Sequence, residues 1–313
     1  MPQTFLITSA TGAQGGATAR ELLYHGAKVH ALVRDLSSPA SKALQSLGVT
    51  LFEGTFFDLP AIKEALVGVT GVFLNTFPSF TDPDGEVQQA RNIVTAAKEA
   101  KSVTTIVVST VYKASERAEI AASKPNFPFL NYYLARKAGV EEVVKAAGFE
   151  HWTVLRPDWL DYNYLAPGCV IHFPEYQSEH VLTVSYDPSF KKSHLDPYDV
   201  GKFAAAALLE PQRYDRLILE LSGELLTFEE IAERLSRASG VRVTVRFRTE
   251  EETRELVESN KIPVIELQIW EREVKFENDR KALDKYGIQL GTLEEYLKRE
   301  KGRLLETLGV SPK

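Results

Sequence analysis

Over the first half of the chain, short apolar runs alternate with segments of helical period. The runs are Phe5-Leu6-Ile7, Lys28–Val33, Val49–Glu53, Gly71–Asn75 and Thr105–Val108. Each has the length of a buried strand. Ile106-Val107-Val108 shows no polar alternation, as expected of a strand covered on both faces. The segments between read as helices: Ala17 through Leu23, Ala40–Leu47, Ala61–Val67, and a long one opened by Pro83-Asp84-Gly85 and running to about Lys101. Five strand–helix alternations predict an α/β fold, a doubly wound parallel sheet with helices on both faces.

The second half is less regular. Lys113–Phe129, with Pro125 and Pro128, reads as a loop with one helical turn; a long helix follows from about Leu130 to Ala147, then a sixth strand ending at Pro157. Leu217–Leu221 is a further strand, and Thr227 with Glu230 has capping-box spacing at the head of an amphipathic helix. Val241–Arg246 alternates as a half-exposed strand, and the chain from Glu250 is charged and helical. His172, Glu175, Glu179 and His180 fit no ligand spacing such as H-E-x-x-H, so they are expected in a surface hairpin and no metal is assigned. The expected division is 1–155 and 156–313, with about 195–222 returning to the main sheet.

Composition narrows the functional class. The chain has 313 residues, 44% apolar and 26% charged, with ample core for one large or two modest domains. A net charge of −6 gives no footprint for nucleic acid. A single cysteine, Cys169, leaves no intrachain disulfide and no cysteine zinc site. No basic region precedes the first apolar run, and no run nears the ~18 residues that span a bilayer. The expectation is a cytoplasmic protein with no membrane partner.

The candidate chemistry begins at Ser9-Ala10-Thr11-Gly12-Ala13-Gln14-Gly15-Gly16, between the first strand and the first helix. Glycines let backbone N–H groups approach a pyrophosphate, and a helix N-terminus favours its charge. Ser9, Thr11, Gly12, Ala13, Gln14 and Gly15 are therefore candidate cofactor-binding residues; the plainer alternative is an ordinary strand-to-helix turn. The second strand ends at Arg34-Asp35, about 20 residues on, where the ribose 2′ group is read. Arg34, with Ser37, Ser38 and Lys42 nearby, favours NADP(H); Asp35 keeps NAD(H) as the lesser option. Thr55 and Phe56 lie in the turn beside the adenine, with Asp58 expected to cap the next helix. Asn75, Thr76 and Phe77 lie on the same carboxyl edge.

Tyr133 and Lys137 are four apart and share a face of the long helix. An ammonium near a phenol favours the phenolate, so Tyr133 is a candidate acid or base; the alternative is a half-buried aromatic beside a solvated lysine. Ser109-Thr110 ends the fifth strand, with Thr110 placed ahead of Ser109 to hold a substrate oxygen.

The order TGAQGG, ALVRD, VVST, YLARK and Thr153-Val154-Leu155-Arg156-Pro157 resembles the short-chain dehydrogenase/reductase superfamily, and within it the NmrA-like branch. Lys137–Glu142 and His194–Gly201 belong to the same resemblance, which runs from residue 4 to about 235 and more loosely beyond. Ser9 departs from the first glycine of the pattern, and Thr55 stands where a relative often has aspartate. The resemblance implies a Rossmann-type domain binding NADP(H) and a smaller C-terminal α+β subdomain on the substrate side. It places Pro157 and Trp159 against the nicotinamide, with Phe77, Trp159, Tyr162 and Tyr164 as substrate-pocket walls; core packing is the alternative for the aromatics. It implies Lys137 on the nicotinamide ribose and Tyr133 as proton donor. The expected activity is an NADPH-dependent reduction of a small apolar or aromatic carbonyl, enone or imine. Two alternatives stand: a non-catalytic NADP(H) sensor acting through a protein partner, and a lyase, isomerase or cyclase on the same fold. A monomer or homodimer is expected.

Overall fold

The computed structural model describes residues 2–79, 82–259, 262–273 and 280–310. In chain order the first elements are β1 (Thr4–Ile7), α1 (Ala13–Tyr24), β2 (Lys28–Val33), α2 (Pro39–Ser46), β3 (Thr50–Glu53), α3 (Leu59–Ala65), β4 (Gly71–Leu74), α4 (Gly85–Glu99) and β5 (Thr105–Ser109). Then come α5 (Arg117–Ser123), α6 (Pro128–Ala146), β6 (His151–Pro157), α7 (Cys169–His172), α8 (Tyr176–Glu179), β7 (Val181–Val184), β8 (Lys192–His194), α9 (Pro197–Leu209) and β9 (Leu217–Leu221). The chain continues through β10 (Glu224–Leu226), α10 (Phe228–Ser239), β11 (Thr244–Phe247), α11 (Glu250–Ser259), α12 (Ile265–Glu273), α13 (Arg280–Asp284), α14 (Leu293–Arg299) and α15 (Lys301–Thr307).

The chain divides into two compact units. The first holds Met1–Glu119, Tyr133–Pro157 and Pro197–Leu221; the second holds Ile120–Tyr132, Asp158–Asp196 and Ser222–Lys313. The first is an α/β unit with a seven-stranded sheet in the order β3-β2-β1-β4-β5-β6-β9. Its neighbouring strands all pair parallel. The order reverses between β1 and β4, and in such sheets ligands bind beyond the carboxyl ends at that reversal. β4 and β5 are buried along their whole length, which explains their unbroken apolar runs. Local chemistry starts the flanking helices. Ser38 accepts from the Ser41 N–H ahead of α2, and Asp58 accepts from the Ala61 N–H ahead of α3, as expected for Asp58. Gly201 of α9 has no room for a side chain: a Cβ there would lie 2.7 Å from the Ala17 carbonyl carbon of α1.

The second unit packs an aromatic core. Tyr164, Phe173, Tyr176, Tyr186 and Phe228 are buried with Leu182, Ile231, Leu235 and Leu297. α10 and α14 both open with complete capping boxes, Thr227–Glu230 and Thr292–Glu295. Gly240, at φ +76°, closes α10 in the left-handed conformation that glycine adopts without cost.

Three local expectations need correction. Lys113–Phe129 is more helical than a loop with one turn: a 3₁₀ turn at Ala114–Glu116 leads into α5, because its Arg, Ala and Glu residues are good helix formers. The segment around His172–His180 is not a hairpin but two short helices, α7 and α8. The alternating strand at Val241–Arg246 forms later, as β11, and pairs parallel with β7. No described helix is long and apolar enough to cross a membrane.

Candidate active site

The loop after β1 is the centre of the first unit's carboxyl edge. Ser9 takes φ +50°, a left-handed conformation that a glycine would adopt more easily. Two hydrogen bonds hold it there. Its hydroxyl donates to the Asn75 carbonyl at 2.8 Å, and its own carbonyl accepts from the Gly12 N–H at 2.9 Å. The first bond joins the ends of β1 and β4 across the strand-order reversal. Thr8 adds to this tie, its hydroxyl accepting from the Asn75 N–H at 2.7 Å. Gly15 is obligatory, since a Cβ there would stand 2.4 Å from the Ser9 carbonyl oxygen.

Gly12 caps α1 with no side-chain hydrogen bond, and the first turn carries no acidic residue. Thr11, Gly12 and Ala13 are exposed and Gln14 is half-buried. The opening N–H groups of a helix have no intrahelical acceptor, and they carry the positive end of its dipole. Gln14 also reaches β5: its side-chain carbonyl accepts from the Ser109 hydroxyl at 2.6 Å.

At the end of β2, Arg34 is exposed. The Asp35 carboxylate turns onto Ser37, accepting from its N–H at 2.7 Å and its hydroxyl at 2.6 Å. These bonds hold its carboxyl below the usual aspartate range. Ser37 and Ser38 are thus engaged locally, Ser38 as the α2 cap. Thr55 is exposed and accepts from the Phe57 N–H; Phe56 is half-buried against the core, with its carbonyl accepting from Asn92.

The ends of β4 and β5 meet α4 and α6 in a polar seam. The Glu86 carboxylate, at the head of α4, accepts from the Thr76 hydroxyl at 2.8 Å and pairs with the Lys137 ammonium at 2.6 Å. All three side chains are buried. The Lys137 Nζ sits 5.6 Å from the Tyr133 ring centroid. Phe77 is 68% exposed, its backbone clamped on both sides by the Gln89 amide.

Thr110 does not face this seam. Its hydroxyl donates to Glu141 at 2.8 Å, inside a buried ion network. There Arg156 forks onto both Glu141 oxygens at 2.8 Å and also reaches Glu220 at 2.8 Å. Adjacent strand residues point to opposite faces. Ser109 and Thr110 therefore part company: Thr110 donates to Glu141, whereas Ser109 donates to Gln14 beside the loop after β1. Pro157 is buried, its carbonyl accepting from the Tyr112 N–H.

In the second unit, Trp159 is half-buried, edge-on to His172 at 4.5 Å, with the Lys192 ammonium 5.1 Å from its ring. Tyr162 is also half-buried. Tyr164 is a correction: it is fully enclosed, stacks on Phe173 at 5.7 Å and hydrogen-bonds His194 at 2.8 Å, so it is core and not a pocket wall. Buried charges lie close by. Lys192, 1% exposed, is 2.5 Å from Glu271 and 3.8 Å from Asp158. Burial, offset by Lys192 and reinforced by Glu271, pushes the Asp158 carboxyl up to about 6. Sequence reasoning missed this cluster and also Glu86. An acid in a helix's first turn ordinarily reads as a dipole partner, and nothing in the sequence joins residue 86 to residue 137.

Residues 1–304 match the sequence model of the NmrA-like family. The chain belongs to that family. Among relatives, it is 29% identical over 255 residues to the NmrA-like family domain-containing oxidoreductase notA of Aspergillus sp. (strain MF297-2), covering 73% of this chain and 70% of that one. It is 30% identical over 237 residues to the (4-alkanoyl-5-oxo-2,5-dihydrofuran-3-yl)methyl phosphate reductase of Streptomyces griseus, covering 75% and 73%. Among solved structures, NmrA, a negative transcriptional regulator in complex with NADP, matches at 21% identity and a TM-score of 0.70, covering 95% of this chain and 94% of that one. That likeness shows the fold. Within the NmrA-like family this chain pairs Tyr133 with Lys137 on α6 and carries Ser9 at the head of its glycine turn.

Proposed function

We propose that this chain binds NADP(H) at the Ser9–Gly15 turn and reduces a small apolar or aromatic carbonyl, enone or imine. The observation that carries the reading is the open head of α1: exposed residues Thr11, Gly12 and Ala13, no capping side chain and no acid in the first turn, at the strand-order reversal. The residues present fit a pyrophosphate there, and Gly15 keeps the backbone clear of side chains. Arg34, freed of Asp35 by the Ser37 contacts, suits a 2′-phosphate. Thr11, Gly12, Ala13 and Gln14 line the phosphate side; Thr55 and Phe56 flank the adenine; Asn75, Thr76 and Lys137 face the nicotinamide half, with Pro157 as a further contact.

When bound, the reduced nicotinamide supplies hydride. The protein's part is the proton: Tyr133 gives it to the substrate heteroatom, and Ser109 orients that atom beside Gln14. Phe77, 68% exposed, is the apolar group that the first unit offers to the substrate. Reductase and oxidoreductase relatives support an enzyme. NADPH consumption against a panel of carbonyls, enones and imines tests it. The Tyr133→Phe variant keeps NADPH binding and loses turnover; full activity in that variant rejects the assignment.

The second reading, an NADP(H)-binding regulator, draws on the Lys137–Glu86 pair, which spends the lysine's charge on a carboxylate, and on the fold shared with NmrA. It predicts NADPH uptake with no substrate in the panel reduced.

A further inference from the structure

The α4–α6 seam assigns a role to a residue outside the proposed catalytic set. We propose that Glu86 is a positioning residue: with Thr76 it holds the Lys137 ammonium at the carboxyl end of β4 and balances its charge, so that Tyr133 is kept as a protonated phenol. This inference rests on the reductase reading and deepens it.

Several observations carry it. The ion pair is 2.6 Å long, with side chains only 7% and 3% exposed, so water screens it little. Thr76 fixes the same Glu86 oxygen, Oε1, from β4 at 2.8 Å. The neighbouring cation on α6, Arg136, is paired as well, with Asp84 at 3.1 Å. Each cation of α6 here thus has a carboxylate of α4 as its partner, Lys137 with Glu86 and Arg136 with Asp84, and a further carboxylate, Asp82, accepts from the Asp84 N–H at 3.0 Å, so among the described residues no excess of positive charge is left at this seam. The helices come close because α6 has Gly139 here: a Cβ would meet the Val87 Cγ2 of α4 at 3.0 Å.

An unbalanced ammonium beside a phenol draws it toward phenolate. A balanced one does so far less. Reduction consumes one proton for each hydride received by the substrate. The phenol's O–H bond breaks, the proton bonds to the substrate heteroatom, and water reprotonates the phenolate. A residue stored as phenol is ready for that direction; one stored as phenolate is ready to remove a proton. The seam therefore leaves Tyr133 in the protonation state from which the reductive direction starts.

The test is an ultraviolet titration of phenolate. The chain has 12 tyrosines, so each background is measured with and without Tyr133→Phe and the difference isolates Tyr133. In the unsubstituted protein Tyr133 ionises no more readily than an ordinary tyrosine. Glu86→Gln moves its midpoint to lower pH by about one unit or more. Adding Lys137→Met to Glu86→Gln restores it. If Glu86→Gln does not fold, Lys137→Met alone decides: Glu86 is then unbalanced and the midpoint rises. Phenolate at neutral pH in the unsubstituted protein, or a midpoint indifferent to the variant measured, overturns the proposal. NADPH binding is followed in parallel by fluorescence. Its absence defeats the reductase reading, while the titration reports on Glu86 regardless.

Discussion

The Ser109 hydroxyl donates to the side-chain carbonyl of Gln14 at 2.6 Å, tying the last residue of β5 to the first turn of α1. One bond thereby joins the proposed phosphate loop to the strand end proposed to hold the substrate oxygen. Thr110, the next residue, donates instead to Glu141, away from that loop.

Gly15→Ala tests the loop. The new Cβ has nowhere to go, because the atom 2.4 Å away is backbone. Overpacking of this kind costs about 1–3 kcal/mol, and here it opens the Ser9 turn as well. The expected result is a lower Tm and at least a tenfold loss of NADPH affinity, read by thermal unfolding and fluorescence titration.

Arg34→Ala tests cofactor choice. Loss of a charge-assisted contact costs about 1.5–3 kcal/mol, so NADPH affinity falls by roughly ten- to a hundredfold while NADH affinity stays put. Equal losses for both cofactors would remove Arg34 from the 2′ position.

Much of the sheet was legible because β1, β4 and β5 are buried on both faces and say so in unbroken apolar runs. The Asp58 cap and the Thr227–Glu230 box were legible because capping is local chemistry at fixed spacing. The partners of side chains distant in sequence were not. Whether Ser109 or Thr110 faces Gln14 depends on strand parity, set by the pairing of Ser109 with Leu155. Tyr164 sits in an aromatic run, and only the packing separates it, as core, from the half-buried Trp159 and Tyr162.

Arg156→Met tests the buried network of the first unit. It leaves Glu141 without its fork, a loss of about 3–5 kcal/mol. Burial alone would raise the Glu141 carboxyl, yet the bonds from Arg156 and Lys145 outweigh it and hold it below the usual glutamate range. A depressed carboxylate stabilises above its unfolded value and loses that contribution as pH falls through the folded one. The unsubstituted protein therefore sheds this stability below about pH 4.5, and Arg156→Met does not. Denaturant unfolding across pH reads the difference.

Asp158→Asn has the opposite sign. The folded carboxyl titrates at about 6 against 3.8 in its ordinary state, so the fold loses stability as pH rises between those values. The amide carries no charge to bury. Asp158→Asn is expected to be more stable at pH 7 by about 1–3 kcal/mol and to lack that slope. A variant less stable at pH 7 would mean that the pairing with Lys192 outweighs the burial.

The central claim is that the head of α1 receives the phosphates of a dinucleotide. Calorimetric titration of the folded chain with NADPH and then NADH tests it most directly, with Gly15→Ala as the control. The account predicts saturable uptake at one site, tighter for NADPH, and lost in Gly15→Ala. Uptake of neither cofactor by folded protein would contradict it.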